Sequence, residues 1–124
     1  MTSRLLKIDL FVDDMLEAAE LLTNAFGFEQ AFAEEGFAEL SAGEFIVMLS
    51  QGARIPVSKT DGIVLHVAVD DVEEAVTRAT QAGAQLLLAR ETTPWGTESA
   101  LLRGPAGSII DLYSEVAEGF DQAQ

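Results

Sequence analysis

Apolar and polar positions alternate from Ile8 to Val12, with Ile8, Leu10 and Val12 on one side of a strand and Leu5, Lys7, Asp9 and Phe11 on the other. An acidic pair, Asp13 and Asp14, follows, and then a stripe at Met15, Ala18, Ala19, Leu22 and Ala25 with the spacing of one helix face. This predicts a helix over 14–25, capped by one of the two aspartates and closed by Gly27. Three strands are expected next, at about 28–35, 37–41 and 44–50, with Gly36 and Gly43 at the turns.

The same order then recurs. Leu65-His66-Val67-Ala68-Val69-Asp70-Asp71 repeats the outline of Ile8-Asp9-Leu10-Phe11-Val12-Asp13-Asp14 at an offset of about 57 residues. Glu74-Ala75 answers Glu17-Ala18, and Thr80-Gln81-Ala82 answers Thr23-Asn24-Ala25. A second helix is predicted over 71–82, with Val72, Ala75, Val76 and Ala79 as its stripe and Gly83 at its end. Strands are expected at about 84–91, 98–103 and 108–114, turning at Pro94-Trp95-Gly96 and Gly104-Pro105-Ala106-Gly107. The organisation is one domain over residues 1–124: module one at about 4–50, a linker at 51–61, module two at about 62–114, and an acidic tail at 115–124 expected to fray.

Parity assigns faces. In the second module's first strand, Ile63, Leu65, Val67 and Val69 go to the helix, and Val64, His66 and Ala68 go opposite. In the last strand Ile109, Asp111 and Tyr113 share a face. If the sheets curl toward each other, Asp9, His66 and Asp111 converge in a cleft. Phe11 and Phe32 are expected to line it, and Phe26, Phe28, Phe37 and Phe45 to fill the core.

Composition narrows the chemistry. The 124 residues carry 21 acids against seven Lys and Arg, a formal charge of −14. Such a field repels nucleic-acid backbones and anionic membranes and attracts cations, so neither nucleic acid nor membrane is expected as a partner. No apolar run approaches the roughly 20 residues that cross a bilayer, the first six residues do not form a signal peptide, and a cytoplasmic location is the expectation. With no cysteine there is no disulfide, thiolate metal site or cysteine nucleophile. A glycine-rich phosphate loop and a nucleophile elbow are both missing from the sequence.

The joint His66-Val67-Ala68-Val69-Asp70-Asp71, the Pro94-Trp95-Gly96 stretch and the ending Gly104-Pro105-Ala106-Gly107-Ser108-Ile109-Ile110-Asp111-Leu112 resemble the vicinal-oxygen-chelate superfamily of glyoxalases, extradiol dioxygenases and bleomycin-resistance proteins. The likeness runs from about Leu5 to Ser114. It implies an α+β fold: two tandem βαβββ modules forming a U-shaped mixed sheet around a cleft, with the helices outside. It also implies homodimers, since long sheet edges are usually covered.

Members that use a metal place ligands on the first and last strands of each module. Carried over, those positions are Asp9, His66 and Asp111, with the fourth on Val47, or on Ile46 if the register slips, neither able to bind an ion. The favoured reading is therefore a metal-independent binder of a flat, cationic small molecule, similar to the bleomycin-resistance branch, with Asp9, Phe11, His66, Trp95, Asp111 and Tyr113 as its ligand-binding residues. In that reading His66 is a neutral histidine bonded to Asp9 or Asp111. Trp95 stacks on the ligand, or instead meets a second subunit. The alternative is a lyase, isomerase or dioxygenase using zinc, iron, nickel or manganese on Asp9, His66 and Asp111.

Overall fold

The computed structural model describes residues 5–52, 55–58 and 62–115. The expected tail beyond Glu115, the first four residues and positions 53, 54 and 59–61 of the linker lie outside them. The first module runs β1 (Lys7–Phe11), α1 (Met15–Glu20), a π-helical turn (Leu21–Ala25), β2 (Glu29–Glu34), β3 (Phe37–Ala42) and β4 (Phe45–Ser50). The second runs β5 (Val64–Ala68), α2 (Val72–Gln81), β6 (Leu86–Thr92), β7 (Thr97–Arg103), a 3-10 turn (Pro105–Gly107) and β8 (Ile109–Glu115). Each module forms its own four-stranded sheet, in the order β1-β4-β3-β2 and β5-β8-β7-β6. The β1/β4 and β5/β8 pairs are parallel and the rest antiparallel, so the α+β fold is the same mixed sheet built twice.

Both helices begin at the second aspartate of their pair. Asp14 Oδ1 accepts the Glu17 N–H at 3.0 Å, and Asp71 Oδ1 accepts the Glu74 N–H at 3.1 Å. Each bond satisfies a backbone donor that the first helical turn leaves without a partner. Asp71→Ala is expected to cost about 1 kcal/mol and about 4 °C in melting temperature; a calorimetric scan that does not move would show the cap to be idle. Gly27 (φ 76°) and Gly83 (φ 102°) take the left-handed conformation that ends each helix, as the spacing predicts. The first helix differs from expectation in its second half. After Glu20 it widens into the π-helical turn, which keeps Leu22 and Ala25 buried while Thr23 and Asn24 stay exposed.

One face of each sheet carries the core. Leu10, Ala38, Leu40, Val47 and Leu49 of the first sheet are buried with Ala100, Leu102, Ile110 and Leu112 of the second, in one cluster with Leu22, Val72 and Ala79 from the helical segments. The modules meet where the π-helical turn packs on α2 and β1 packs on the 3-10 turn. The opposite faces are open. On β1, β3 and β4 the residues Lys7, Asp9, Phe11, Phe37, Glu39, Ile46 and Met48 are all half-buried or exposed, as are Val64, His66, Ser99, Leu101 and Tyr113 on the second sheet.

Two expectations are corrected by this register. Phe37 lies on the open face, its ring 5.8 Å from that of Phe32, instead of in the core. Asp9 stands beside Met48 just as His66 stands beside Asp111, so the counterpart of Asp111 in the first module is Met48. Val47 is paired with Ile8 and is 2% exposed, and Ile46 sits beside Lys7.

Candidate functional site

The parallel pairing of β5 with β8 sets His66 beside Asp111, and the antiparallel pairing of β7 with β8 sets Leu101 across from Asp111 and Ser99 across from Tyr113. These neighbours share the open face and make one polar group there. His66 Nδ1 lies 2.7 Å from Asp111 Oδ2, and the Ser99 hydroxyl donates to Asp111 Oδ1 at 2.6 Å. The Tyr113 ring stands edge-on to the imidazole, with centroids 6.2 Å apart. The carboxylate side chain is only 13% exposed beneath these partners, whereas the imidazole is 64% exposed. The group is thus anchored at its carboxylate and open at its imidazole.

The other expected site residues lie elsewhere in the chain. Asp9 is on the first sheet, where its Oδ1 accepts the Ser50 hydroxyl at 2.8 Å. Asp9 and Phe11 line a cavity of about 340 Å³ together with Val57, Ile63, Ala106 and Ser108. Trp95 is 68% exposed at the tip of the β6–β7 hairpin. Its turn is held by Thr93, whose N–H donates to Thr97 O at 2.7 Å and whose Oγ1 accepts the Thr97 N–H at 3.1 Å. Trp95 lies beyond the Thr97–Glu115 pair, four residues along β8 from Asp111, or roughly 13 Å along the strand. A larger cavity of about 780 Å³ separates the modules between α1 and the 3-10 turn; Asp13, Asp14, Glu17 and Glu20 line it with Arg103, and none of the expected site residues does.

Ser99 is the member that the sequence reading missed. The signal was available: Ser99 and Leu101 alternate with Ala100 and Leu102, which places the hydroxyl on the face of Asp111.

A divalent ion does not fit these residues as they stand in one chain. Asp9 is bonded to Ser50 within the first sheet, away from His66 and Asp111, and the fourth place is held by the thioether of Met48, a poor partner for a hard ion. Among the described residues no three His, Asp or Glu groups come close enough together to hold a metal.

A solved structure known only as a conserved domain protein is 32% identical, with a TM-score of 0.79 over 91% of this chain and 99% of that one. TioX from Micromonospora sp. ML1 is 28% identical, with a TM-score of 0.71 over 91% and 99%. A glyoxalase-related enzyme from Fulvimarina pelagi shares the fold at 19% identity, with a TM-score of 0.79 over 92% and 89%. No curated protein matches the chain. Residues 4–112 match the model of one family, and the chain belongs to it: the Glyoxalase/Bleomycin resistance protein/Dioxygenase superfamily.

Proposed function

We propose that this chain is a metal-independent small-molecule-binding protein that takes a flat ligand against the open faces of its sheets. The observation that carries this reading is the first-module counterpart of Asp111, which is Met48, a thioether where a site for a hard ion would need an oxygen or nitrogen donor. The exposed aromatic and apolar residues on and around those faces, Phe32, Val64, Leu88 and Trp95, offer a surface for a flat ligand. A formal charge of −14 favours a ligand that is itself cationic. The alternative, a lyase, isomerase or dioxygenase working through an ion on Asp9, His66 and Asp111, requires Asp9 to be supplied from a different sheet to the one that holds His66 and Asp111.

Metal analysis of protein purified without added metal tests this directly. We expect far less than one zinc, iron, nickel or manganese per chain, and a stoichiometric ion would overturn the reading. A thermal-shift screen of flat aromatic compounds should then give hits, cations foremost, because anything that binds only the folded state raises its melting temperature.

The sheet edges support a homodimer, in which edge strands of one copy are covered by another. Strands β1, β2, β5 and β6 are all sheet edges, and exposed edges are usually covered. Sedimentation should show two chains associated at micromolar concentration; a monomer there would count against the pairing. No helix among the described residues is long and apolar enough to cross a membrane.

A further inference from the structure

We infer that the cavity of about 340 Å³ beside β1 is a subsite for a flat aromatic amidinium or guanidinium, which pairs with the Asp9 carboxylate and lays its ring against Phe11 and Val57. This rests on the binding reading above, since Asp9 and Phe11 belong to the open face of the first sheet, and it names both the ligand's head group and the place that receives it. Val12 N–H donates to Ser50 O at 2.9 Å, which commits the backbone of Val12 to β4, and by alternation that of Leu10 and Ile8 as well. The amides and carbonyls of Asp9 and Phe11 therefore point away from β4, to the edge of the sheet. None of the described β4 residues lines the cavity; its far walls are Val57 of the linker, Ile63 and the 3-10 turn at Ala106.

The linker is fastened beside this edge at its first residue. Gln51 Nε2 donates to Asp13 O at 2.7 Å, the Gln51 N–H donates to Gly36 O at 3.0 Å, and Gly52 (φ 80°) takes the left-handed conformation of a turn. The lining selects the head group. Asp9 Oδ1 accepts the Ser50 hydroxyl at 2.8 Å, which holds the carboxylate in place and leaves Oδ2 for a ligand donor. A planar amidinium carries parallel N–H donors that match a carboxylate, and a further N–H falls to the Phe11 carbonyl on the same edge. Val57 and Ile63 are apolar side chains left 53% and 39% exposed, the surface that a bound ring covers. The volume lies at the lower end of the roughly 300–1,000 Å³ of small-molecule pockets, enough for one ring and its head group. A formal charge of −14 draws a cation toward it.

Benzamidine is the probe, and benzamide, nearly the same shape without the charge, is its control. At neutral pH benzamidine should raise the melting temperature saturably and benzamide should not. In protein with ¹³C-labelled Val and Ile methyl groups, benzamidine should shift the signals of Val57 and Ile63. Asp9→Asn should weaken benzamidine roughly tenfold, because a charge-assisted pair becomes a neutral one. Val57→Lys should also weaken it, by setting a like charge on the cavity wall. Leu16→Lys, which adds the same charge at a 70% exposed position outside the cavity, should leave it nearly unchanged.

If benzamide binds as well as benzamidine, or if Val57→Lys does no more than Leu16→Lys, the proposal fails. If benzamidine shifts the methyl signals of Val64 and Ile109 on the second sheet instead of those of Val57 and Ile63, the proposal is overturned and the binding reading stands. If benzamidine does not bind while other flat compounds do, the head group is wrong and the reading again stands. A stoichiometric metal, or a screen of flat compounds without a hit, removes both.

Discussion

Ile110→Ala should lower the free energy of unfolding by about 2–5 kcal/mol, the cost of deleting a fully buried branched side chain from a site that cannot collapse around the gap. Ile110 is 0% exposed in β8, the strand that β5 and β7 flank, with Leu65 and Leu102 as its cross-strand neighbours. The site is also tight on its other side. A methyl group built on Gly104 would stand 2.9 Å from Ile110 Cγ1 and 2.5 Å from Ser108 Oγ, so the glycine is where the 3-10 turn closes onto the core. Small domains have net stabilities of only about 5–15 kcal/mol, so this one change removes a large share. Urea unfolding should show a lower midpoint with an unchanged slope. Ile109→Ala, one residue away on the open face and half-buried, should cost far less in a monomer. A loss below about 1 kcal/mol at Ile110 would mean that the two faces of this sheet have been exchanged.

That contrast also explains what could be read from the sequence. In β8 the run Ile109-Ile110-Asp111-Leu112-Tyr113 carries polar markers, so parity alone places Asp111 and Tyr113 opposite Ile110 and Leu112. In β4 the run Phe45-Ile46-Val47-Met48-Leu49 is apolar throughout and gives no parity at all. Its register is set by long-range pairing with β1, and a slip of one residue exchanges the faces, which is how the fourth position fell on Val47 instead of Met48. Phe37 was misplaced for a related reason, since an aromatic at a strand start fits a core or an open aromatic pair equally well. The helix caps were legible because an Asp-Asp pair before an apolar stripe has a local mechanism. The widening at Leu21 was not, because Leu21-Leu22-Thr23-Asn24-Ala25 keeps an ordinary helical stripe. The His66–Asp111 contact was one of two partners the sequence allowed. Choosing between Asp9 and Asp111 needed the knowledge that β5 pairs with β8 while β1 stays in the other sheet.

Trp95→Ala and His66→Ala should separate the two readings of the site by the order of their effects. For a hit from the thermal-shift screen that binds without metal, removing Trp95 should cost ~2 kcal/mol or more, because an exposed indole on a rigid turn offers a large stacking surface at little entropic cost. Removing His66 should cost ~1 kcal/mol, a few-fold in affinity, because deletion takes away one hydrogen bond and leaves Asp111 still bonded to Ser99. The Thr97–Glu115 pair beside the Trp95 turn stands roughly 13 Å along β8 from Asp111 and its neighbour His66, so the ligands that feel both changes must be extended; a single small ring should respond to one of them only. Trp95 could instead lie against a second copy, and sedimentation of Trp95→Ala distinguishes the cases. If the variant dissociates, its affinity loss should shrink as protein concentration rises; if it stays associated, the loss belongs to the ligand contact. A metal enzyme reverses the order, since losing a ligand to the ion abolishes turnover while losing a stacking surface mainly raises KM. Metal-dependent turnover that His66→Ala destroys and Trp95→Ala leaves nearly intact would end the case for a metal-free binder.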